Sequence, residues 1–269
     1  MKAFFTHFSF EFHKGLRDPS LLLMNYLFPL AFYLVISLLM VQLNPYFRAN
    51  IIPAMIIFVA LTSLVLGLPN PLVSSREAGI FRTYRVNSVP TLNMLLIPAL
   101  ATSIHTLVAS LLVTFTAPLL FQAPLPSNWG GFLVFLLLTI FLMAGLGVLI
   151  GTISFNTRMT ILWSQLVFLP SIMIGGLMIP RSALKGFLAR IGGLWPSTYS
   201  MELYNSLAGG SGPSRTIWLS IGVLLLGGLL AFFLARLLFS WDSQNRSRKA
   251  SSWIALLILV PFLVGMFLY

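Results

Sequence analysis

The sequence predicts an all-α integral membrane protein of six spans, with a further apolar segment at its C-terminal end. Three observations carry that prediction. Apolar stretches recur along the chain, and several reach the roughly 20 residues a helix needs to cross a hydrocarbon core of about 30 Å. The 269 residues are 58% hydrophobic and 8% charged, against about 25% charged in an average soluble domain. The charges collect between the apolar stretches, not inside them. The formal net charge of +11 would suggest nucleic acid in a soluble chain. Here basic loops beside a membrane account for it, and no nucleic-acid partner is expected. With no cysteine, disulfides and thiolate metal sites are excluded.

Residues 2–17 precede the first span. Phe4, Phe8, Phe12 and Leu16 recur at four-residue spacing, with Lys2, Thr6, Ser9, His13, Lys14 and Arg17 on much of the remaining surface. That pattern predicts an amphipathic helix lying in the membrane interface. The N-terminus lacks the features of a cleavable signal peptide, so the first span is expected to direct insertion. Asp18-Pro19 is a helix start, with Asp as N-cap and Pro at the first helical position. Span one follows at about 20–43, then a short turn at Asn44-Pro45, then span two at about 51–73, with Pro53 near its start, where a missing N–H costs little.

Ser74 to Pro90 is the longest clearly polar interval in the first half of the chain, and it holds Arg76, Glu77, Arg82 and Arg85. Ser74 and Glu77 have capping-box spacing, which predicts a short helix over 74–87 beginning at Ser74. The run Arg76-Glu77, Ala78-Gly79, a basic turn through Arg82 and Arg85, and Pro90 opening the next span resembles the cytoplasmic loop of type-2 ABC exporter permeases. The resemblance in layout extends over about residues 1–242. It implies that 2–17 is the elbow helix of that family. It further implies that 74–87 is the coupling helix that seats in a separate ATPase subunit, with Ser74, Arg76, Glu77, Gly79, Arg82 and Arg85 at the contact. The plainer alternative is that the three arginines only set topology.

Span three is expected at about 91–121, long enough to need a tilt or a kink at Pro98 or Pro118. Gln122 to Asn128 is a charge-free turn, with Trp129 at the interface. Span four, about 130–155, carries Gly145, Gly147 and Gly151. The last two form a GxxxG, which lets helices approach closely. Asn156-Thr157-Arg158 turns into span five, about 159–179, which holds Pro170 and Gly175-Gly176. Residues 180–214 are too interrupted by Pro and Gly for one span and too apolar for a solvated loop. Two short helices, near 182–191 and 197–207, are expected there. The resemblance implies an exterior re-entrant hairpin, in which Glu202 with Arg190, or Arg181, and Tyr199 are candidates for a gate. Span six is expected at about 216–239, followed by a basic patch at Arg246, Arg248 and Lys249. Residues 243–269 form a basic loop and a seventh apolar segment, expected to span.

With residue 1 inside, eleven of the 16 Lys and Arg fall inside and five outside, namely Arg48, Arg181, Lys185, Arg190 and Arg215. That bias predicts a cytoplasmic N-terminus. None of the 5 acidic residues falls in a predicted span, whereas ion-coupled carriers usually hold ionisable groups there. No Walker-type GxxxxGK[ST] loop is present either. An ATP-driven machine would therefore take ATP and Mg on another polypeptide; no cofactor is expected in this chain. His105 is the one ionisable residue deep in a span. It is a contact on a substrate path, or a neutral His bonded to a neighbouring helix. No catalytic constellation is found.

The reading is the permease half of an ATP-binding cassette exporter in the inner membrane, not an enzyme itself. The resemblance implies two ATPase subunits and a second permease subunit, identical or homologous. A hydrophobic or amphipathic substrate is expected, since the loop resembles the drug and antibiotic branch more than the polysaccharide branch. The alternatives are a polysaccharide or glycolipid permease of the same family, an ATP-independent secondary carrier, a lipid-acting membrane enzyme, or a scaffold.

Overall fold

The computed structural model describes residues 2–44, 47–179, 184–210, 212, 216–241 and 253–268. They are helical throughout, with turns and bends between helices and no strand. In chain order the helices are α1 (Lys2–Arg17), α2 (Pro19–Leu43), α3 (Phe47–Glu77), α4 (Ile80–Val86), α5 (Thr91–Phe121), α6 (Trp129–Ile153), α7 (Thr157–Met173), α8 (Phe187–Ile191), α9 (Pro196–Leu207), α10 (Ile217–Leu238) and α11 (Trp253–Leu268). Asp18 caps α2 as its sequence promises: Oδ1 accepts from Ser20 N at 2.9 Å and Leu21 N at 3.3 Å. Five helices, α2, α3, α5, α6 and α10, are long and apolar enough to cross a membrane.

The centre of the bundle is α3. Ile51 through Leu64 along it are buried with scarcely a break, so its sequence reads as apolar all round. Helix α6 crosses α3 at glycines: a Cβ at Gly147 would stand 1.9 Å from the Leu64 carbonyl oxygen, and one at Gly151 would stand 2.9 Å from Leu72. Gly145, on another face, lies against Gly228 and Ala231 of α10. The GxxxG is therefore a helix crossing inside one chain, with the backbones brought close because no side chain intervenes. By contrast α2 lines the rim, with Leu27, Leu34, Val35, Leu38 and Leu43 exposed. In a membrane protein such a face meets lipid or another subunit.

The structure corrects several expected boundaries. The helix of the second span continues past Val73 to Glu77. Ser74 is therefore inside a helix and caps nothing. Its hydroxyl donates to the Pro71 carbonyl at 3.2 Å, so the capping box is not formed. The break comes at Gly79, whose φ of +74° is a left-handed value that glycine takes without strain and that ends helices. The helix of the fifth expected span, α7, stops at Met173, short of residue 179. At about 1.5 Å per residue its length is roughly 25 Å, less than a full hydrocarbon core. It ends because the backbone at Gly175 lies against Ser197, whose Oγ would be 1.8 Å from a Cβ there, and Gly176 takes φ +91°. Of the expected hairpin, residues 180–183, 211 and 213–215, with Arg181 and Arg215, lie outside the described residues. So do 242–252, with the basic patch at Arg246, Arg248 and Lys249.

One end of the bundle gathers α1, α4, the Ser154–Asn156 turn and Phe239–Trp241. The other end gathers the 122–128 turn and the hairpin: Arg48 donates to Gln122 Oε1 at 3.3 Å, and Ser127 N donates to the Ala208 carbonyl at 2.8 Å. Helix α11 runs antiparallel to α10. Phe262 lies by Gly227, and Gly265 lies by Val223, nearer the hairpin end.

Candidate functional site

The loop between α3 and α5 divides its residues between two tasks. Arg76, in the last turn of α3, is only 5% exposed. Its Nη1 donates to the Thr152 carbonyl at 3.0 Å, and its Nη2 donates to the Ser154 carbonyl. These are among the carbonyls left without partners at the end of α6. A guanidinium there satisfies them and opposes the negative end of the helix dipole. Arg76 thus fastens the end of α3 to the end of α6, and it does not present itself to a partner. Next to it Glu77 is exposed, and Thr157 Oγ1 donates to its Oε2 at 3.4 Å across the two loops.

Past the Gly79 hinge, α4 is held by its aromatic residues. Phe81 is buried and packs on Phe239 with ring centroids 5.7 Å apart, and Phe239 meets Trp241 edge-on at 5.1 Å. Tyr84 stacks on His7 of α1 at 5.4 Å. Burial, and next the charge of Glu11, push the Tyr84 phenol above its usual range. With Phe81 and Tyr84 turned inward, Ile80, Arg82, Arg85 and Val86 face out, and Val86 is 84% exposed. A short helix held by its rings and offering two cations among aliphatic side chains is a surface suited to a protein partner.

His105 is 1% exposed and lies between three helices. Its Nδ1 is 2.8 Å from the Tyr26 hydroxyl of α2, and its Nε2 is 3.0 Å from the Phe12 carbonyl of α1. A carbonyl only accepts, so the proton is on Nε2, and Tyr26 donates to Nδ1. The imidazole also stacks on Phe12 at 4.4 Å, and Gly15 leaves it room: a Cβ there would stand 2.4 Å from Nε2. Both ring nitrogens are satisfied within the chain. At about 1.5 Å per residue, His105 lies roughly 25 Å along α5 from Gln122. This is close to the midpoint of α5, at the level where α1 packs. The ring joins α1 to the bundle through these two bonds.

The candidate exterior gate is also rearranged. Tyr199 is fully buried, and its hydroxyl donates to the Gly193 carbonyl at 2.6 Å and lies 3.4 Å from that of Phe262. It ties the hairpin to α11 and faces no opening. Glu202 accepts from Thr216 Oγ1 at 2.9 Å. Arg190 is exposed on α8, and among the described residues no ion pair joins it to Glu202. The residues missed from sequence are the acceptors Thr152 and Ser154 and the anchors Phe81, Phe239 and Trp241. Carbonyls carry no sequence signature, so the first two had no signal. Phe81 had one, as the apolar residue between exposed cations on a short helix.

The family described as ABC-2 type transporter matches residues 2–207. No curated protein and no solved structure was found to match the chain. The family match spans α1, the first five expected spans and the hairpin helices, which places this multi-pass chain, with its Arg76-fastened loop and outward-facing α4, in the ABC-2 type transporter family as a membrane permease.

Proposed function

We propose that this permease is half of an ATP-driven exporter for hydrophobic or amphipathic substrates, and that α4 is where a separate ATPase subunit engages it. The observation that carries the reading is the division of labour in the loop. Phe81 and Tyr84 hold α4 to the bundle, while Ile80, Arg82, Arg85 and Val86 face outward. Movement of the ATPase then passes through α4 and the Gly79 hinge to Glu77 and Arg76. Because Arg76 is fastened to Thr152 and Ser154, α3 and α6 receive that movement together. ATP and Mg belong to the partner. The excess of Lys and Arg expected on the inner side supports placing the α1 and α4 end in the cytoplasm of the inner membrane. A second permease subunit completes the path, and the exposed leucines of α2 and α7 offer apolar rim for it or for lipid. Polysaccharide-linked lipids remain the second substrate class.

The test is affinity purification of the tagged chain in mild detergent, with mass spectrometry of what accompanies it. The expected result is a stoichiometric ATPase subunit, lost when Ile80 and Val86 are changed to Asp while Arg76 and Phe81 are kept. A well-folded preparation with no ATPase, under conditions that preserve related complexes, overturns the reading in favour of an ATP-independent carrier.

A further inference from the structure

At the α1 end, a cavity of about 250 Å³ opens between the helix ends of α1, α2, α3 and α7. Its polar lining is Lys14, Asp18, Ser20, Asn70, Ser74 and Thr157, and its floor is Leu21, Met24 and Gly67. Asp18 spends only Oδ1 on capping α2, and a carboxylate has a second oxygen with its own lone pairs. Asn70 donates its amide to the Leu66 carbonyl at 3.4 Å, yet its Oδ1 is buried without a partner. Buried acceptors without donors are uncommon and call for an explanation. Lys14 supplies one cation, shared with Glu11 at 3.7 Å. The lining therefore pairs one positive and one negative side chain, so it balances no excess anion, and it offers acceptors that want N–H donors.

The position narrows the ligand. The cavity lies where α1 joins the first span, and past the wider turn at Leu23–Leu27 the side of α2 that carries Met24 continues through Phe28, Val35 and Leu39. The last three are exposed and apolar. A polar cup above an apolar strip fits a molecule with a polar head and a hydrocarbon tail. Its volume falls below the roughly 300–1,000 Å³ of drug-sized sites, enough for a headgroup alone. We infer that this cavity holds the headgroup of a zwitterionic phospholipid with a primary ammonium, such as phosphatidylethanolamine, from the leaflet at that end. The phosphate lies toward Lys14 and Ser20. The ammonium, with three N–H donors, lies toward Asp18 and Asn70 Oδ1. A quaternary ammonium has no N–H to give and leaves Asn70 unsatisfied; an anionic headgroup meets Asp18 as a like charge.

Native mass spectrometry of the delipidated full chain in detergent tests this, by titration with phosphatidylethanolamine, phosphatidylcholine, phosphatidylglycerol and free phosphoethanolamine. The expected result is retention of phosphatidylethanolamine at about tenfold lower concentration than phosphatidylcholine, a difference of about 1.4 kcal/mol. Phosphatidylglycerol should be weaker still and phosphoethanolamine not retained. Asp18→Asn keeps a good N-cap and should erase the preference, while Lys14→Met should weaken both zwitterionic lipids together. Equal retention of the three lipids by the unmodified chain, or tightest retention of phosphatidylglycerol, overturns the inference without reliance on any variant. Retention of free phosphoethanolamine as tight as the lipid overturns the bilayer source and assigns the cavity to a soluble ligand.

Discussion

The two ends of this molecule treat a similar piece of sequence in opposite ways. At one end the polar interval after α3 stays outside, with only Arg76 and the rings of α4 turned in. At the other end α9, also a short helix of mixed composition, is enclosed by the bundle, and Ser197, Thr198, Tyr199 and Ser200 are all buried. The difference is one of hydrogen-bond arithmetic. Three of these hydroxyls find an acceptor in backbone at helix ends: Ser197 donates to the Ser171 carbonyl, Thr198 to Gly192 and Tyr199 to Gly193, while Ser200 Oγ is buried with no partner among the described residues. A guanidinium carries five donors and is costly to bury unless several acceptors converge. The end of α6 offers such a place to Arg76, while Arg82 and Arg85 remain outside. For Arg76 and these three hydroxyls, enclosure follows the acceptors within reach, not average polarity.

Substitutions at the two ends break or sharpen this contrast. The largest loss is expected from Gly265→Val, which places a Cβ about 2.2 Å from the Tyr199 hydroxyl. Overpacking of this kind costs about 1–3 kcal/mol, and the hydroxyl bonds go with it. The thermal midpoint in detergent should fall furthest of the series, and protease should cut before α11. Next comes Arg76→Met, which keeps the aliphatic stem and strands two carbonyls at about 1–3 kcal/mol for an unsatisfied group. Denaturant titration should show it clearly less stable than Arg85→Met, for which a change within about 0.5 kcal/mol is expected at an exposed position. Equal losses for the two arginines would undo the distinction between them. Tyr199→Phe removes one hydroxyl and should cost about 1 kcal/mol, read by the same titration. Glu77→Lys is expected to cost least in stability and to insert normally while ATP hydrolysis no longer drives transport. Normal transport by that variant in vesicles would remove Glu77 from the coupling path.

Much of this contrast was legible in the sequence, but unevenly. Apolar runs of span length announce α2, α3, α5, α6 and α10 because twenty consecutive apolar residues have few other uses. The Asp18-Pro19 start was equally plain, being local chemistry. Ser74 misled because a capping box is also local and is overridden when an arriving helix has no reason to stop; the stop was at Gly79, three residues after the buried arginine. Arg76 read as either a topology charge or a contact residue. Its third use, as a cap for a helix 76 residues further on, depends on a fold that brings Thr152 beside it. From sequence alone His105 is either a path contact or a satisfied ring. Its two bonds, to Tyr26 and to the Phe12 carbonyl, depend on the fold and carry no local signal.

The crossing of Gly147 on Leu64 has a consequence for how the chain can move. Two helices in backbone contact, with no side chain between them, cannot slide or roll past one another without opening a void or colliding. Together with the Arg76 fastening, this makes α3 and α6 a single stiff post. Any alternation between inward and outward shapes is then left to the staves around it, α2 and the shortened α7, whose apolar faces are bound mostly by lipid or a neighbour.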